Sequence, residues 1–498
     1  MTPRSVSQYS IRQLLPSASF VGCGDILFRD VCCDSRQAGP GDLFVAVPGG
    51  QAHGNQFASQ AMTAGANGIL TDTPLAIPNA PQCVVSDVRR TYGWLCQYLA
   101  GQPANSLKTI GVTGTNGKTS VTWLLRAILN ASGCRAGLLG TIECDDARNR
   151  PEPSRMTTPD PCQLARWLQR MARNRATHAV MEVSSHALHQ KRIAGLTFQS
   201  VLMTNITHDH LDYHQTIEQY QSAKCSLVDY CHPDGQLIIN ADDPAIAQGL
   251  SRLNTTQIPI TVGLSSHAQH RIWIDQMDLS GSRFRVKLLN QEMEFFIRRP
   301  GEFNVLNAAM AAVTASYHGC SEQQIAQTLA QCEFPPGRLQ VIPNQLGIDC
   351  FVDYAHTPDA IEKILQTVRP LVAGELICVL GAGGNRDREK RPLMARAAAK
   401  ADRVILTSDN PRRESPEQIL QDLQAGLPAD RTSDSIVADR KTAIDTAILE
   451  SRPGDCVLIL GKGHETVQEI GNTVLHFSDA EIARACCDSQ LIASAIRA

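Results

Sequence analysis

Thr-Ile-Gly-Val-Thr-Gly-Thr-Asn-Gly-Lys-Thr-Ser-Val-Thr-Trp, residues 109–123, is the stretch on which the reading of this chain turns. Thr109 to Val112 is a short β-branched run, as a buried strand would be. Gly111, Gly114 and Gly117 are spaced three apart, with Lys118 and Thr119 directly after. From Lys118 to Ser132 the apolar residues Val121, Leu124, Leu125, Ile128 and Leu129 fall at helical spacing, and Gly133 can stop the helix. Strand, glycine loop, Lys-Thr, helix is a layout that holds nucleotide phosphates. Glycines let backbone N–H groups reach phosphate oxygens, and the helix N-terminus adds partial positive charge. Lys118 supplies a point charge, and Thr119 offers a hydroxyl to Mg²⁺. The spacing departs from G-x-x-x-x-G-K-[ST], because Val112 stands where the first glycine should be. The competing reading is a glycine turn with an incidental lysine; the strand before and helix after argue against it.

A chain of 498 residues is too long for one core, and about three domains are expected. A net charge of −3 gives no bulk attraction to nucleic acid or anionic membrane, though a local basic cleft stays open. The 17 cysteines are scattered, with adjacent pairs Cys32-Cys33 and Cys486-Cys487 but no C-x-x-C, so reduced thiols are expected over disulfides or zinc sites. The N-terminal residues lack an apolar signal core, and no apolar run reaches membrane-spanning length. A cytoplasmic monomer with no nucleic-acid or membrane partner is expected.

Residues 1–107 read as a small α/β module: strand Asp42–Val47, helix Asn55–Ala64, strands Gly68–Thr71 and Cys83–Ser86, then a helix capped by Asp87. Polar segments Cys33–Arg36 and Pro48–Gly54 flank its first strand, either as turns or as one binding edge. Residues 108–332 read as a nucleotide domain with a parallel, doubly covered sheet. Strand His178–Val183 ends in Ser184-Ser185-His186, and strand Ser200–Ile206 precedes a run rich in His and Asp, 207–214. Ligands bind beyond the carboxyl ends of such strands. Glu182, inside an apolar strand, needs a partner such as Mg²⁺ or a structural cation. His208, His210 and His214 with Asp209 and Asp212 suit Mg²⁺ or substrate better than zinc once a phosphate loop is present. Lys224 reads, by position alone, as a solvated helix lysine. Residues 271–299 alternate as antiparallel strands, and Asn304 leads into an Ala-rich helix ending at Tyr317.

Residues 333–498 open on the hinge-like Phe334–Arg338 and continue as a Rossmann-like βαβ series. Each strand ends in a polar cluster: Asp353–Pro358, Gly381–Asp387, Ser408–Arg412 and Gly461–Glu465. Arg386, Arg412, Asp409 and Glu465 together suit a zwitterionic, amino-acid-like ligand, with guanidinium for carboxylate and carboxylate for ammonium.

Seven segments in order resemble the Mur ligases, the ATP-dependent amide-forming enzymes of peptidoglycan synthesis. They are Gly-Thr-Asn-Gly-Lys-Thr (114–119), Met-Glu-Val-Ser-Ser-His (181–186), Asp-His-Leu-Asp-Tyr-His (209–214), Asn-Ala-Asp-Asp (240–243), Pro-Gly-Arg (336–338), Asp-Tyr-Ala-His-Thr-Pro (353–358) and Gly-Lys-Gly-His-Glu (461–465). The resemblance implies an α/β chain of three domains: a small UDP-binding domain (1–107), a central P-loop ATPase-like domain (108–332) and a C-terminal Rossmann-like domain (333–498). Asp409-Asn410-Pro411-Arg412 looks like the signature of members that add meso-2,6-diaminopimelate. Arg412 can pair with that amino acid's second carboxylate, which lysine lacks.

By the same resemblance, Gly114, Thr115, Asn116, Gly117, Lys118, Thr119 and Ser120 hold ATP, with Asn304, Arg338, Asp353 and His356. Thr119, Glu182, His210 and Lys224 serve Mg²⁺, with Lys224 carbamylated, so Lys118, Lys224 and His210 carry the catalytic roles. Cys33, Ser35, Gly50, Gln51 and Ala52 hold the UDP-sugar. Thr157, Thr158, Ser184, Gln190 and Arg192 hold the muramoyl dipeptide, with Met156 where asparagine is expected. Arg386, Asp409, Asn410, Pro411, Arg412, Gly461 and Glu465 hold diaminopimelate. The implied reaction activates the D-glutamate γ-carboxylate of UDP-N-acetylmuramoyl-L-alanyl-D-glutamate as an acyl phosphate, which the amine then attacks. A lysine-adding or folylpolyglutamate-type ligase is the alternative within the superfamily.

Overall fold

The computed structural model describes residues 8–50, 52–207, 209–253, 255–288, 291–429, 431 and 434–497, with backbone alone for 211–212 and 491–497. Gln51 and His208 lie outside the described residues. Contacts divide the chain into two units, one of residues 1–111, 135–201 and 226–235 and one of 112–134, 202–225 and 236–498.

The first unit begins with the expected α/β module. Its five-stranded sheet runs in the order Ser19–Val21, Gln82–Val84, Gly68–Thr71, Asp42–Val45, Asp30–Cys32. All neighbours are parallel except the first pair. Helix Val88–Leu99 starts where the Asp87 side chain accepts from Arg90 N–H. It buries Val88, Tyr92, Leu95 and Cys96 against Phe28, Leu43, Val45 and Leu70. The expected helix at 55–64 is instead a 3₁₀ turn, Gly54–Phe57, leading into helix Ala58–Thr63, because His53 Nδ1 accepts from Asn55 N–H and tightens the first turn. The same unit pairs strands Ala136–Leu139 and His178–Glu182 in parallel. Helix Pro161–Arg173, capped by Asp160 with proline at its first position, packs on helix Val88–Leu99.

The strand Lys108–Thr113 starts in the first unit and ends in the second. Gly111 lies inside this strand, and a Cβ there would come 3.0 Å from the Phe198 ring. That glycine serves packing inside the strand, and the loop itself is shaped by Gly114 and Gly117. Helix Lys118–Ala131 follows and packs on helix Glu302–Tyr317. Strands Cys231–Asn240, Ile260–Gly263 and His270–Asp278 pair in parallel. Gly281–Leu288 and Gln291–Ile297 then add antiparallel strands, as the alternation at 271–299 predicts. The second unit ends in a six-stranded sheet, with four parallel central strands in the order Asp349–Asp353, Cys456–Leu460, Leu376–Ala382, Arg403–Ser408. Alternate residues of these strands face two cores. Phe351, Cys378, Leu380 and Leu406 meet helices Pro358–Val368, Lys390–Ala398 and Pro416–Gln424 on one side. Val352, Val379, Ile405 and Ile459 meet helix Arg440–Leu449 and Ala483 on the other. This is the doubly wound layout that places ligands beyond the strands' carboxyl ends.

Candidate active site

The phosphate loop is shaped by two glycines at positive φ. Gly114 (φ 149°) and Gly117 (φ 86°) leave no room for a side chain: a Cβ would stand 1.8 Å from Thr204 Oγ1 or 2.4 Å from Asn307 Oδ1. The loop is also tied from outside. Thr115 N–H donates to Asn205 O (2.8 Å), Asn116 N–H to Asn205 Oδ1 (2.9 Å), and the Thr115 hydroxyl sits 3.0 Å from Tyr220 OH. Lys118 Nζ donates to Gly114 O (2.7 Å) and Thr115 O (2.9 Å). Thr119 and Ser120, at the start of the helix, are buried.

Lys224, on helix Ile217–Cys225, is not the solvated lysine its position suggests. It is 2% exposed, its Nζ donates to the same Gly114 O (2.8 Å), and it lies 4.7 Å over the Tyr220 ring. Burial, then the neighbouring Lys118 charge, push its pKa well below the usual lysine range. His210 has φ 53°, and its Nε2 is 3.4 Å from Asp209 Oδ2. Burial would raise the Asp209 pKa, but His210, Lys390 and His356 outweigh it and hold it at about 2. Lys390 Nζ reaches Asp209 Oδ1 at 3.1 Å.

The segments after Pro336 bring a second set of groups to the loop. Arg338 Nη2 donates to Thr119 Oγ1 (3.3 Å), with its guanidinium 4.9 Å over the Tyr354 ring. Asp353 is buried and accepts from Leu339 N–H (2.5 Å) and Ala355 N–H (2.7 Å), which sets the backbone on either side of Arg338 and His356. His356 Nδ1 contacts Tyr354 O at 2.8 Å. Asn304 is buried and donates to Pro300 O. Arg338 Nε and His464 Nδ1 are buried with no hydrogen-bond partner among the described residues. The unsatisfied Arg338 donor, beside Thr119 at the helix N-terminus that follows the glycine loop, fits a polyphosphate. Thr119 and Asp209 offer hard oxygen donors, which suit Mg²⁺; Lys224 suits it only once its cation is converted to an anion.

Three strand ends of the C-terminal sheet gather a second group of polar side chains. Asp409, Asn410 and Lys462 are buried. Lys462 Nζ donates to Asn410 Oδ1 (3.1 Å), Glu465 Oε2 (3.3 Å) and Val467 O (2.6 Å). Asn410 Nδ2 donates to Glu465 Oε2 (2.7 Å). Gly461 (φ 115°) approaches Asp409, where a Cβ would stand 2.8 Å from Oδ2. Pro411 O lies so close to Gly384 that a Cβ there would be 1.9 Å away. Arg412 borders Gly383, and so does the exposed Arg386. Beneath the strand ends, Arg440 and Asp479 form a pair with no solvent exposure, Nε–Oδ1 2.7 Å and Nη2–Oδ2 2.6 Å, and Arg440 also donates to Leu460 O (3.0 Å).

In the first unit, the residues expected to hold a peptide do come together. Thr158 Oγ1 donates to Glu182 O (2.9 Å) and accepts from Ser184 N–H (3.0 Å). Arg192 donates to Thr158 O (2.9 Å) and Gln190 Oε1 (2.8 Å), and its Nη1 is 3.6 Å from Met156 Sδ. Met156 thus replaces the expected amide with a weak sulfur acceptor. Glu182 is 1% exposed and accepts from Thr141 N–H (2.8 Å) and Thr141 Oγ1 (3.0 Å); the Thr141 and Thr157 hydroxyl oxygens are 3.1 Å apart. Cys33 and Ser35 follow strand Asp30–Cys32, and Gly50 and Ala52 follow strand Asp42–Val45; the two strands are parallel neighbours, so both segments leave the same sheet edge. Cys33 Sγ accepts from Tyr92 OH (3.4 Å), and Ser35 Oγ donates to Gln60 Oε1 (2.9 Å). All described cysteines are free thiols. No helix among the described residues is long and apolar enough to cross a membrane.

Sequence reading missed Asn205, Asn307, Lys390 and the Arg440–Asp479 pair, which no local pattern marks. It quoted Lys462 only within its motif, although a lysine between glycines after an apolar strand was a signal of a buried cation.

Comparison with known proteins fits this geometry. Residues 112–315 match the Mur ligase middle domain, 337–463 the Mur ligase glutamate ligase domain, and 28–92 the Mur ligase family catalytic domain. The chain is 39% identical to a UDP-N-acetylmuramoyl-L-alanyl-D-glutamate–2,6-diaminopimelate ligase of Geobacillus kaustophilus, over 91% of this chain and 93% of that one. It is 41% identical to the protein of that name from Synechococcus elongatus, over 92% and 94%. A solved structure of a ligase of the same name superposes with a TM-score of 0.69 at 32% identity, covering 97% of this chain and 100% of that one. The three-domain α/β architecture, the phosphate loop and these matches agree: the chain belongs to the Mur ligase family of ATP-dependent, amide-bond-forming enzymes of cell-wall synthesis.

Proposed function

We propose that this ligase adds meso-2,6-diaminopimelate to the D-glutamate γ-carboxylate of UDP-N-acetylmuramoyl-L-alanyl-D-glutamate, consuming ATP, in the cytoplasm. The observation that carries this reading is Arg412, a guanidinium that follows the buried Asp409 and Asn410 in the chain, with the half-buried Glu465 bonded to Asn410. Diaminopimelate is an amino acid at both ends, so one end meets the carboxylates and the other offers Arg412 a second carboxylate. Lysine would offer no carboxylate to the remaining terminal N–H groups of that guanidinium, a loss that discriminates more strongly than shape. The names of the relatives agree with this substrate pair.

The chain's own groups fit the chemistry. Lys118 and the loop N–H groups take the phosphates, and Arg338 faces them from beside Thr119. The carboxylate attacks the γ-phosphate, forming an acyl phosphate and ADP. The free amine then attacks the acyl carbon, and phosphate leaves. Mg²⁺, when bound, neutralises phosphate charge, with Thr119, Glu182, His210 and a carbamylated Lys224 as its proposed holders. The proposed domain limits stay at 1–107, 108–332 and 333–498.

The test is phosphate release with the UDP-muramoyl dipeptide and a panel of amino acids. Meso-diaminopimelate should exceed L-lysine in kcat/KM by about 10⁴-fold, as for sites built to hydrogen-bond a substrate group that the competitor lacks. Equal use of lysine, or release that needs no amine, would sink the assignment.

A further inference from the structure

The hairpin formed by Val467–Ile470 and Thr473–His476 clasps the segment 409–412. Gln468 Nε2 donates to Asp409 O (2.7 Å), and Glu469 N–H donates to Asn410 Oδ1 (3.0 Å). Arg412 has φ 52°, a strained value for a side-chain-bearing residue, and two backbone bonds hold it there: Arg412 N–H to Glu469 O (2.9 Å) and Gly471 N–H to Arg412 O (2.6 Å). Its side chain is fixed at two further points. Nε donates to Glu469 Oε2 (3.1 Å), and Nη1 donates to Gly384 O (2.8 Å). Gly383 leaves the space that Nη1 occupies, since a Cβ there would stand 3.0 Å from it.

A guanidinium carries five N–H groups in a rigid plane, and a carboxylate can take it along either the Nε edge or the terminal Nη edge. Glu469 occupies the Nε side and Gly384 O one Nη1 hydrogen, which leaves the other terminal hydrogens for an incoming carboxylate. We infer that Glu469 is a specificity-determining positioning residue: by holding the Nε side of Arg412, it aims the terminal edge of the guanidinium at the distal carboxylate of a diamino dicarboxylic acid. Glu469 touches no reacting atom in this role; it acts through Arg412. This inference rests on the diaminopimelate reading above, and it adds a residue that reading does not use. The Glu469 side chain is 43% exposed, so its replacement leaves no buried charge stranded and the variants should fold.

The experiment compares wild type, Glu469→Ala and Glu469→Gln in full-length enzyme, with saturating ATP and UDP-muramoyl dipeptide and with meso-diaminopimelate and L-lysine as the two amine probes. Wild type first tests the function itself: failure to prefer meso-diaminopimelate overturns the diaminopimelate reading, whatever the variants do. Given that preference, Glu469→Ala should raise KM for meso-diaminopimelate by about tenfold, keep kcat within about twofold, and shrink the preference over lysine by about tenfold, as expected for one charge-assisted contact. Glu469→Gln keeps an acceptor at the Nε side and should restore KM to within about threefold of wild type. Equal KM changes for both amino acids would reduce Glu469 to packing and overturn the inference. An unchanged or lowered KM for meso-diaminopimelate in Glu469→Ala would overturn it too, the latter by making Glu469 a competitor of the ligand.

Discussion

Lys224 and Lys462 are both sealed from water, and the protein holds them in opposite ways. Lys462, 0% exposed, has three acceptors: an amide oxygen, a carboxylate and a backbone carbonyl. Lys224, 2% exposed, has the Gly114 carbonyl and an aromatic face, and it shares that carbonyl with the ammonium of Lys118. A buried ammonium with three acceptors is a fixed strut. One with a single carbonyl and a like charge beside it gives up its proton readily. The neutral amine is the form that reacts with carbon dioxide to give a carbamate and a released proton, so the surroundings of Lys224 support the proposed carbamylation while those of Lys462 oppose it.

The largest expected effect tests the reactive lysine. Lys224→Met should lower kcat by about 10³-fold, the scale of losing a group that stabilises transition-state charge. Wild type stripped of bicarbonate should lose activity and regain it when bicarbonate returns; bicarbonate-independent turnover would break the contrast. Lys462→Met should instead raise KM for the amine by about 10–100-fold with a smaller change in kcat, because Asn410 and Glu465 lose their anchor.

Stability should separate the two lysines by sign. Lys462→Met removes the cation facing the Glu465 carboxylate, and should cost about 2–4 kcal/mol in denaturant titrations, at the low end for a broken buried pair because Glu465 reaches solvent and keeps Asn410 as a donor. Lys224→Met, in bicarbonate-free buffer, should be neutral or stabilising. Between the lowered folded-state pKa of Lys224 and its ordinary 10.5, the unfolded chain binds a proton that the folded chain does not. Wild-type stability therefore rises with pH across that window, and the methionine variant should lose that slope. A Lys224→Met enzyme destabilised as much as Lys462→Met would show that both lysines are struts.

The smallest effect is on the acid side. His178 and His464 are held at about 4, by burial first, with Lys108 acting on His178 and Arg338 and His356 on His464. Below 6.5 the unfolded chain takes up these protons while the folded chain stays neutral, so stability should fall from about pH 6.5 to 4. His464→Gln should flatten part of that fall, read by thermal unfolding across pH; an unchanged profile would remove His464 from the account.

The same contrast marks what could be read from sequence. The phosphate loop was legible because its demands are local: a strand, glycines, Lys-Thr and a helix lie within fifteen residues. The doubly wound C-terminal sheet was legible because apolar strands ended in polar clusters. Burial was not legible. Lys224 and Lys462 look like any helix or loop lysine until partners from distant segments close over them. The packing role of Gly111 was not legible either, because the Phe198 ring that needs its space lies 87 residues away in the chain (198 − 111). Glu469 was missed because its meaning depends on the strained backbone of Arg412, which no spacing announces.

The close fit of Gly117 against Asn307 has a consequence for the order in which this protein is made. The two residues are 190 positions apart (307 − 117), so the ribosome produces the loop well before its support. At about 5–20 residues per second, that interval is roughly 10–40 seconds. A nascent chain ending before residue 307 lacks the Asn307 side chain that packs against Gly117 in the finished fold. ATP capture should therefore switch on late in synthesis rather than when the Gly-Lys-Thr segment emerges.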